Sequence, residues 1–201
     1  MEIKKLDLKK DDLNHISDLI IKAYQDSGQS APFNENSIHI IKDLIQAGNN
    51  FLGHENIYLG LSENNLIGLV IGYTGKSYSK TKTLFALLIK LKLNQILNYL
   101  ILSSQLFDTL YTPHLSENDY YVSVIVVDKQ HRNQGYGSSL LRFAIENAKN
   151  IGCKRVVLDV DQENNPALSL YNRFGFKIYE GLNKDSEISD NTYLTMEYKF
   201  S

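Results

Sequence analysis

The apolar residues in the first third of the chain change their spacing from one segment to the next. Residues 2–7 alternate weakly between apolar and polar side chains, which predicts an edge strand, and the apolar positions of 13–24 recur at the helical period. A second helix is predicted from Asn34 or Asn36 to Ala47. Two β-rich runs joined by a polar connection then predict a hairpin. Its strands are residues 57–61 and 66–73.

Residues 75–118 depart from this pattern. The centre of the segment, residues 84–110, is rich in Leu and Ile and has neither Gly nor Pro, which favours helix. Lys90 and Lys92 lie within the stretch that a membrane span needs, and a charge at mid-bilayer costs about 2.5–3.5 kcal/mol, so we predict no stable membrane insertion. Three alternatives stay open for this helical insert: an extra layer on the domain, an oligomer surface such as that of a homodimer, and a helix lying on a membrane surface.

The pattern is clearest after residue 119. An uninterrupted β-branched and aromatic run at 120–127 predicts a strand buried on both faces, and residues 155–160 predict a second one. A polar loop between them leads into a helix over residues 138–150. The other predicted elements are a helix from Asn165, its N-cap, to Gly175, and strands at 176–179 and 192–200. A strand, a helix and a strand in this order imply a right-handed parallel crossover, which is typical of the α/β class.

Composition and charge narrow the function classes. The chain has 201 residues, 43% of them hydrophobic, and a formal net charge of −2. We predict one globular domain over residues 1–201, and no overall basic field that would attract nucleic acid. The one cysteine, Cys153, cannot form an internal disulfide, and the first twenty residues contain no uncharged apolar run, so we expect a cytoplasmic protein. The five His are scattered, and no metal site is predicted.

Glycines mark the loop between the predicted strand 120–127 and the helix after it. The sequence there is Arg132-Asn133-Gln134-Gly135-Tyr136-Gly137. A helix start presents unpaired N–H groups and the positive end of the peptide dipoles, and glycine lets a ligand come close to the backbone. These features predict a cradle for a diphosphate. Two glycines alone are equally compatible with a simple turn into a helix, so the surroundings of the loop have to decide.

Two sequence blocks carry a family resemblance when they are taken together. The first, Arg132 to Gly137 between a buried strand and a helix, has the form R/Q-x-x-G-x-G/A; the second, Asn164 to Phe176, is an Asn followed by a helix that bears Leu-Tyr and ends in Gly-Phe. Both resemble the Gcn5-related N-acetyltransferase (GNAT) family, over about residues 120–180. The resemblance implies an α/β (α+β) fold with a mixed, centrally parallel, splayed sheet flanked by helices, with the helical insert between strands 3 and 4.

The resemblance also implies a site for acetyl-CoA as co-substrate. In the family, the pantetheine arm lies between the two splayed strands, which would place it along Ile125, Val126 and Val127, with a backbone N–H near the last two for the oxyanion. Asn164 matches a cofactor-contacting Asn, although Asn165 suits the helix N-cap better and the two roles are interchangeable on sequence alone. The residues implied for the diphosphate are Arg132, Asn133, Gln134, Gly135, Tyr136, Gly137 and Ser138.

The chemistry needs an acid for the leaving thiolate and a base for the amine. Tyr171 matches the family's usual general acid, and a phenol with an ordinary pKa of about 10 keeps its proton at neutral pH. Tyr171 also belongs to the apolar face of its helix, so a packing role alone stays open. By the period of two, residues 119, 121, 123, 125 and 127 share one face of their strand, which makes Asp119, and Glu117 before it, candidate bases near the acceptor.

Two functions are compatible with these residues. The first is an acyltransferase that moves the acetyl group of acetyl-CoA directly to a small-molecule or peptide amine in a ternary complex, without a metal. The alternative is a regulatory or interaction module that binds acetyl-CoA without catalysis. Tyr171 favours the first, because a pure binding module does not need it. We further expect the insert to fold over the acceptor side and to narrow the amine site.

Overall fold

Seven strands form one mixed sheet with helices on both faces. The computed structural model describes residues 1–26, 37–77, 115–179 and 193–200. The strands are β1 Glu2–Lys5, β2 Ile57–Ser62, β3 Asn65–Thr74, β4 Asp119–Val127, β5 Arg155–Asp161, β6 Lys177–Ile178 and β7 Tyr193–Lys199. The α-helices are α1 Leu13–Asp26, α2 Ile38–Ala47, α3 Tyr136–Asn150 and α4 Asn165–Arg173, and short 3₁₀ helices occupy His54–Asn56 and Lys129–His131.

The strand order across the sheet is β1-β2-β3-β4-β5-β7-β6. Among the described strands, β4 and β5 are the one parallel pair, and every other neighbouring pair is antiparallel. The chain passes from β4 to β5 through α3, because parallel neighbours need a crossover connection. The predicted mixed sheet with a parallel centre is therefore confirmed.

The two parallel strands separate soon after they meet. Their pairing has three steps, from Asp119 with Arg155 to Tyr121 with Val157, although both strands continue beyond it. Each keeps its outer neighbour: β4 stays paired with β3 as far as Val127, and β5 stays paired with β7 as far as Asp161. The inner edges of β4 and β5 therefore part, which confirms the predicted splay. We call the space between these two edges the gap.

A β-bulge in β4 lies where the strands begin to part. Gly72 of β3 pairs with Val122 whereas its neighbour Ile71 pairs with Val124, so Ser123 is an extra residue. An extra residue reverses the faces of all side chains after it. Val122 accordingly packs on the α3 side of the sheet, and Val124 packs on the α1 side. The prediction that residues 119–127 keep one alternation is wrong, because a period of two does not reveal a bulge.

Each face of the sheet has its own apolar core. On one face, α1 and α2 bury Ile16, Ile20 and Ile45 completely, and on the other face α3 buries Leu140 and Leu141 completely. Full burial of one such side chain contributes about 1.5–3 kcal/mol to folding. The helices on both faces thus hold the halves of the sheet together where β4 and β5 no longer pair.

The insert leaves and re-enters the sheet at one place. Most of it, residues 78–114, lies outside the described residues, so the predicted helix and its proposed position over the acceptor stay predictions. Its two ends are joined by backbone hydrogen bonds: the Gly75 N–H donates to the Asp119 carbonyl at 3.0 Å, and the Lys76 N–H to the Glu117 carbonyl at 3.2 Å. In the parts of the chain that the structure describes, no helix has the length and apolarity needed to cross a membrane.

Candidate active site

The start of α3 faces outward with its backbone exposed. The helix begins at Tyr136, two residues earlier than predicted, and its first hydrogen bond runs from the Ser139 N–H to the Gly135 carbonyl at 3.1 Å. The N–H groups of the first turn before Ser139 therefore have no partner inside the helix. Gly135 has φ +84°, and a Cβ placed there meets no atom within 4 Å. An open helix start of this kind is able to accept an anion, and the diphosphate cradle predicted from the sequence stays a prediction.

Gly137 connects this helix start with the gap. A Cβ at Gly137 would lie 3.9 Å from Cγ2 of Val127, at the end of β4, and 3.8 Å from Cδ2 of Leu170 in α4. The cradle, the end of the parted strand and α4 therefore meet at one point. A coenzyme with a phosphorylated end and an extended arm needs these two features in continuity.

Arg132 fixes the loop instead of presenting a free guanidinium. Its Nε donates to the Val127 carbonyl at 3.1 Å, and its Nη2 pairs with Oδ2 of Asp26 at 2.6 Å, at the end of α1. Lys129 lies 3.2 Å from the same carboxylate. Although burial raises the pKa of Asp26, hydrogen bonds from the two cations outweigh it and lower that pKa below its usual value. In this structure Arg132 joins the loop to β4 and α1, and its implied contact with a diphosphate stays untested.

Asn164 caps α4. Its Oδ1 accepts a hydrogen bond from the Ala167 N–H at 3.2 Å, and Asn165 is the first residue of the helix. The preference for Asn165 as the cap is therefore wrong. The capping oxygen is engaged in the helix, so any contact of Asn164 with a coenzyme would use its other side-chain and backbone groups.

Tyr171 lies on the α3 side of the sheet, near the end of α4. Its ring packs against Phe176 with 5.8 Å between the ring centroids, and its carbonyl accepts from the Phe176 N–H at 3.1 Å. Burial raises the pKa of the Tyr171 phenol to about 12. The hydroxyl therefore keeps its proton at neutral pH. Packing and proton donation are compatible in this position.

The two candidate bases lie at the other end of β4. Asp119 is 2% exposed, and its Oδ2 accepts from Arg155 Nη2 at 2.8 Å and from the Ser116 N–H at 2.7 Å. Burial raises the pKa of Asp119, but the bonds from Arg155 and Ser116 outweigh it and hold the pKa below its usual value. Such a carboxylate is a poor proton acceptor. Glu117 lies in the exposed turn beside it, where the insert ends. Asp119 is thus engaged by a guanidinium, and the roles of Asp119 and Glu117 as bases stay predictions.

A third carboxylate, missed in the sequence, lies just beyond the last paired step of β4 and β5. Asp159 of β5 accepts a hydrogen bond from the Tyr121 hydroxyl at 2.7 Å and from Thr195 Oγ1 of β7 at 2.5 Å. Nearby, Ser123 Oγ at the bulge is buried without a hydrogen bond to any described residue. Charged residues are rare in buried strands. The acidic residue inside the apolar run Val156 to Val160 is therefore the sequence signal for Asp159.

Parts of the chain are similar to named N-acetyltransferases. A segment is 39% identical over 74 residues to "GCN5-related N-acetyltransferase 6, chloroplastic" of Arabidopsis thaliana, covering 37% of this chain and 25% of that protein. Another is 35% identical over 75 residues to "L-amino acid N-acetyltransferase AaaT" of Escherichia coli, covering 37% of this chain and 46% of that protein. The chain thus matches less than half the length of either relative.

The whole fold is similar to solved structures. An N-acetyltransferase from Staphylococcus aureus Mu50 superposes with a TM-score of 0.72 at 18% identity, covering 98% of this chain and 100% of that one. The PaiA N-acetyltransferase from Thermoplasma acidophilum, solved in complex with coenzyme A, gives 0.57 at 14% identity over 99% and 98% of the two chains. The family model described as "Acetyltransferase (GNAT) family" matches residues 14–176. With the parted strands and the helix-start cradle in place, the chain belongs to the GNAT family of acetyltransferases.

Proposed function

We propose that this protein is an N-acetyltransferase that moves the acetyl group of acetyl-CoA directly to an amine acceptor in a ternary complex. The observation that carries the proposal is the parting of β4 and β5 beside the open start of α3. An unpaired strand edge offers hydrogen bonds to an extended amide chain, and a helix start offers N–H groups to an anion. Acetyl-CoA has both parts, since its pantetheine arm contains amides and its other end carries a diphosphate.

Different residues of this site would contact the two parts of the coenzyme. The pantetheine arm would follow the free edge of β4 along Ile125, Val126 and Val127, and the diphosphate would lie on the amides of Gly135 to Ser138. Asn133, with φ +62°, and Gln134 form the exposed turn that leads into this cradle. The Thermoplasma acidophilum N-acetyltransferase, which has a similar fold, was solved in complex with coenzyme A, and this supports a coenzyme A site in this chain.

The chemistry follows from charge development at the thioester. Attack by an amine places negative charge on the carbonyl oxygen, which a backbone N–H near Val126 or Val127 would stabilise; one such donor contributes about 3–4 kcal/mol. Collapse of the tetrahedral intermediate breaks the C–S bond, and the Tyr171 hydroxyl would protonate the leaving sulfur. Its raised pKa keeps the proton available throughout the physiological range.

The test is release of free thiol from acetyl-CoA over a panel of primary amines. One relative is named an L-amino acid N-acetyltransferase and another, from Schizosaccharomyces pombe, N-alpha-acetyltransferase 30, so the panel includes free amino acids and peptides with a free N-terminus beside spermidine and phenethylamine. We expect turnover with at least one of them. Coenzyme binding by calorimetry without any turnover would favour the non-catalytic module, and neither binding nor turnover would contradict both functions.

A further inference from the structure

Two neutral hydroxyl groups orient the carboxylate of Asp159. Tyr121 and Thr195 donate to its two oxygens from the strands on either side, and neither donor carries a positive charge. Asp119 differs, because the Arg155 guanidinium is already paired with it. A carboxylate paired with a guanidinium has little attraction left for a second cation, whereas one held by hydroxyl dipoles keeps its negative charge for a ligand.

Asp159 stands at the position where an acceptor would reach the thioester. Val157, two residues earlier on the same face of β5, is the last residue paired with β4, so Asp159 faces the first unpaired part of the strands. That face is the α1 side of the sheet, where Tyr121 packs, and Tyr171 lies on the opposite, α3 side. The acid and this carboxylate therefore flank the gap from its two sides.

We propose that Asp159 binds the ammonium group of the acceptor and takes its proton, so that it is the base of the reaction. This inference rests on the proposed function. It makes the acceptor a primary amine that arrives as a cation, and Thr195 and Tyr121 become positioning residues that orient the carboxylate.

The protons of the step balance. An alkyl ammonium with a pKa of about 10.4 gives one proton to an Asp159 oxygen and becomes a nucleophile. Its lone pair forms the C–N bond at the thioester carbon, and the C–S bond then breaks as the Tyr171 hydroxyl protonates the sulfur. The nitrogen loses its second proton to the Tyr171 phenolate, and Asp159 returns its proton to water. The products are the amide, free coenzyme A and one released proton.

Among the described residues, the titratable side chains found near Asp159 on neighbouring elements are phenols. Tyr121 of β4 donates to it directly, and behind Tyr121 lie Tyr73 of β3, with 5.6 Å between the ring centroids, and Tyr24 of α1. Burial and the adjacent Asp159 charge raise the pKa of Tyr121 well above its usual value. The raised pKa values of Tyr24 and Tyr121 keep both phenols neutral between pH 6 and 9, so neither contributes to a pH profile in that range.

The experiment compares two acceptors with the same alkyl chain. One is the primary alkyl amine of the panel with the fastest turnover, and the other is the O-alkylhydroxylamine of equal length, whose NH2 nitrogen is uncharged at neutral pH. The variants are Asp159→Asn, Thr195→Val and, as a control that removes a carboxylate elsewhere, Asp18→Asn, whose side chain is paired with Lys22 on the surface of α1. Coenzyme A affinity of each variant is measured separately by calorimetry.

We expect Asp159→Asn to lower kcat/KM for the alkyl amine about hundredfold at pH 7 and to leave the rate with the hydroxylamine within about fivefold, because only the first substrate needs a base. The residual alkyl amine activity should rise with pH as more free amine forms. Thr195→Val should show the same selective loss at about tenfold, and Asp18→Asn should match the parent protein.

Equal losses with both acceptors, or no loss with either, would overturn the assignment of Asp159 and leave the proposed function standing if the parent protein turns over. Absence of turnover by the parent protein with every amine would instead refute the proposed function itself, and the role of Asp159 with it. Coenzyme A affinity of Asp159→Asn should stay within about twofold of the parent value.

Discussion

Three oxygen-bearing side chains, two on the sheet and one on α4, differ in their surroundings. Asp119 is buried against a guanidinium, Asp159 accepts from two hydroxyls, and the Tyr171 phenol packs against the Phe176 ring. The first environment pairs a carboxylate with a cation, and the second holds one with neutral donors. The third favours a neutral hydroxyl that can still donate a proton.

Replacing the acid should separate turnover from binding. For Tyr171→Phe we expect kcat to fall by about 10²-fold or more, because the sulfur then leaves without its proton donor, while coenzyme A affinity stays nearly unchanged. The measurements are thiol release and calorimetry. Tyr58→Phe is the control, since Tyr58 packs against Phe143 at 4.8 Å between ring centroids on the same side of the sheet. Unchanged turnover of Tyr171→Phe would reduce that residue to a packing role.

Removing the charge of Asp119 should affect stability more than chemistry. Asp119→Asn removes one of the two carboxylates paired with the half-buried Arg155, which keeps Glu197 at 2.7 Å, and the loss of a hydrogen bond to a charged group costs about 1–3 kcal/mol. We expect a clear drop in the urea midpoint and, for the folded fraction, a kcat near that of the parent. A variant with normal stability and lost turnover would restore Asp119 as a candidate base.

At the level of elements, the start of α3 is where backbone shape and ligand binding coincide. Gly135 and Gly152 flank this helix, both have φ near +80°, and a Cβ at either meets nothing within 4 Å. A non-glycine residue in that left-handed region costs about 1–2 kcal/mol wherever it stands. Substitution of either glycine should therefore cause similar backbone strain, but only Gly135 lies beside the proposed diphosphate site.

The matched pair tests the cradle. We expect Gly135→Ala and Gly152→Ala to lower the free energy of unfolding by similar amounts, about 1 kcal/mol, since neither methyl group clashes with the protein. Only Gly135→Ala should weaken coenzyme A binding, because its methyl group stands over the proposed diphosphate site. The measurement is the affinity of each variant for coenzyme A by calorimetry. Equal affinities of the two variants would contradict a diphosphate site at Gly135.

The sequence was sufficient for the order of the elements and for the exposed glycine-bearing loop before α3, because hydrophobic period and glycine placement are local signals. It was not sufficient for features that depend on pairing between strands. The bulge at Ser123 shows only in the register with β3, and the ion pair of Asp119 with Arg155 needs β5 as a neighbour. Asp159 was missed for the same reason, since Tyr121 and Thr195 are remote from it along the chain.

At the level of the whole molecule, burial affects several phenols on the sheet and on the helices that pack against it. Burial raises the pKa of Tyr24, Tyr120, Tyr121 and Tyr171, that of Tyr171 to about 12. Below pH 10 the phenols are neutral in the folded and unfolded states alike, so they add no pH dependence. Above it the unfolded chain releases protons that the folded one retains, which favours unfolding.

We therefore expect the urea midpoint of the parent protein to fall between pH 10 and 12. Tyr171→Phe should show a shallower fall over the same range, because one of the phenols with a raised pKa is gone. The measurement is unfolding followed by circular dichroism at unit steps of pH. A midpoint that is flat up to pH 11.5 would contradict the effect of burial on these phenols.

The hydrogen bonds that join Gly75 to Asp119 and Lys76 to Glu117 hold the two ends of the insert together, so the segment between them is replaceable. A Cβ at Gly75 would come within 2.0 Å of the Ser116 carbonyl oxygen, so the two chain ends touch there and glycine is required. Strands β3 and β4 are paired with each other up to this point, where Thr74 lies opposite Tyr120. We therefore expect segments of other length or composition to be tolerated in place of residues 78–114 without a change in the position of β4.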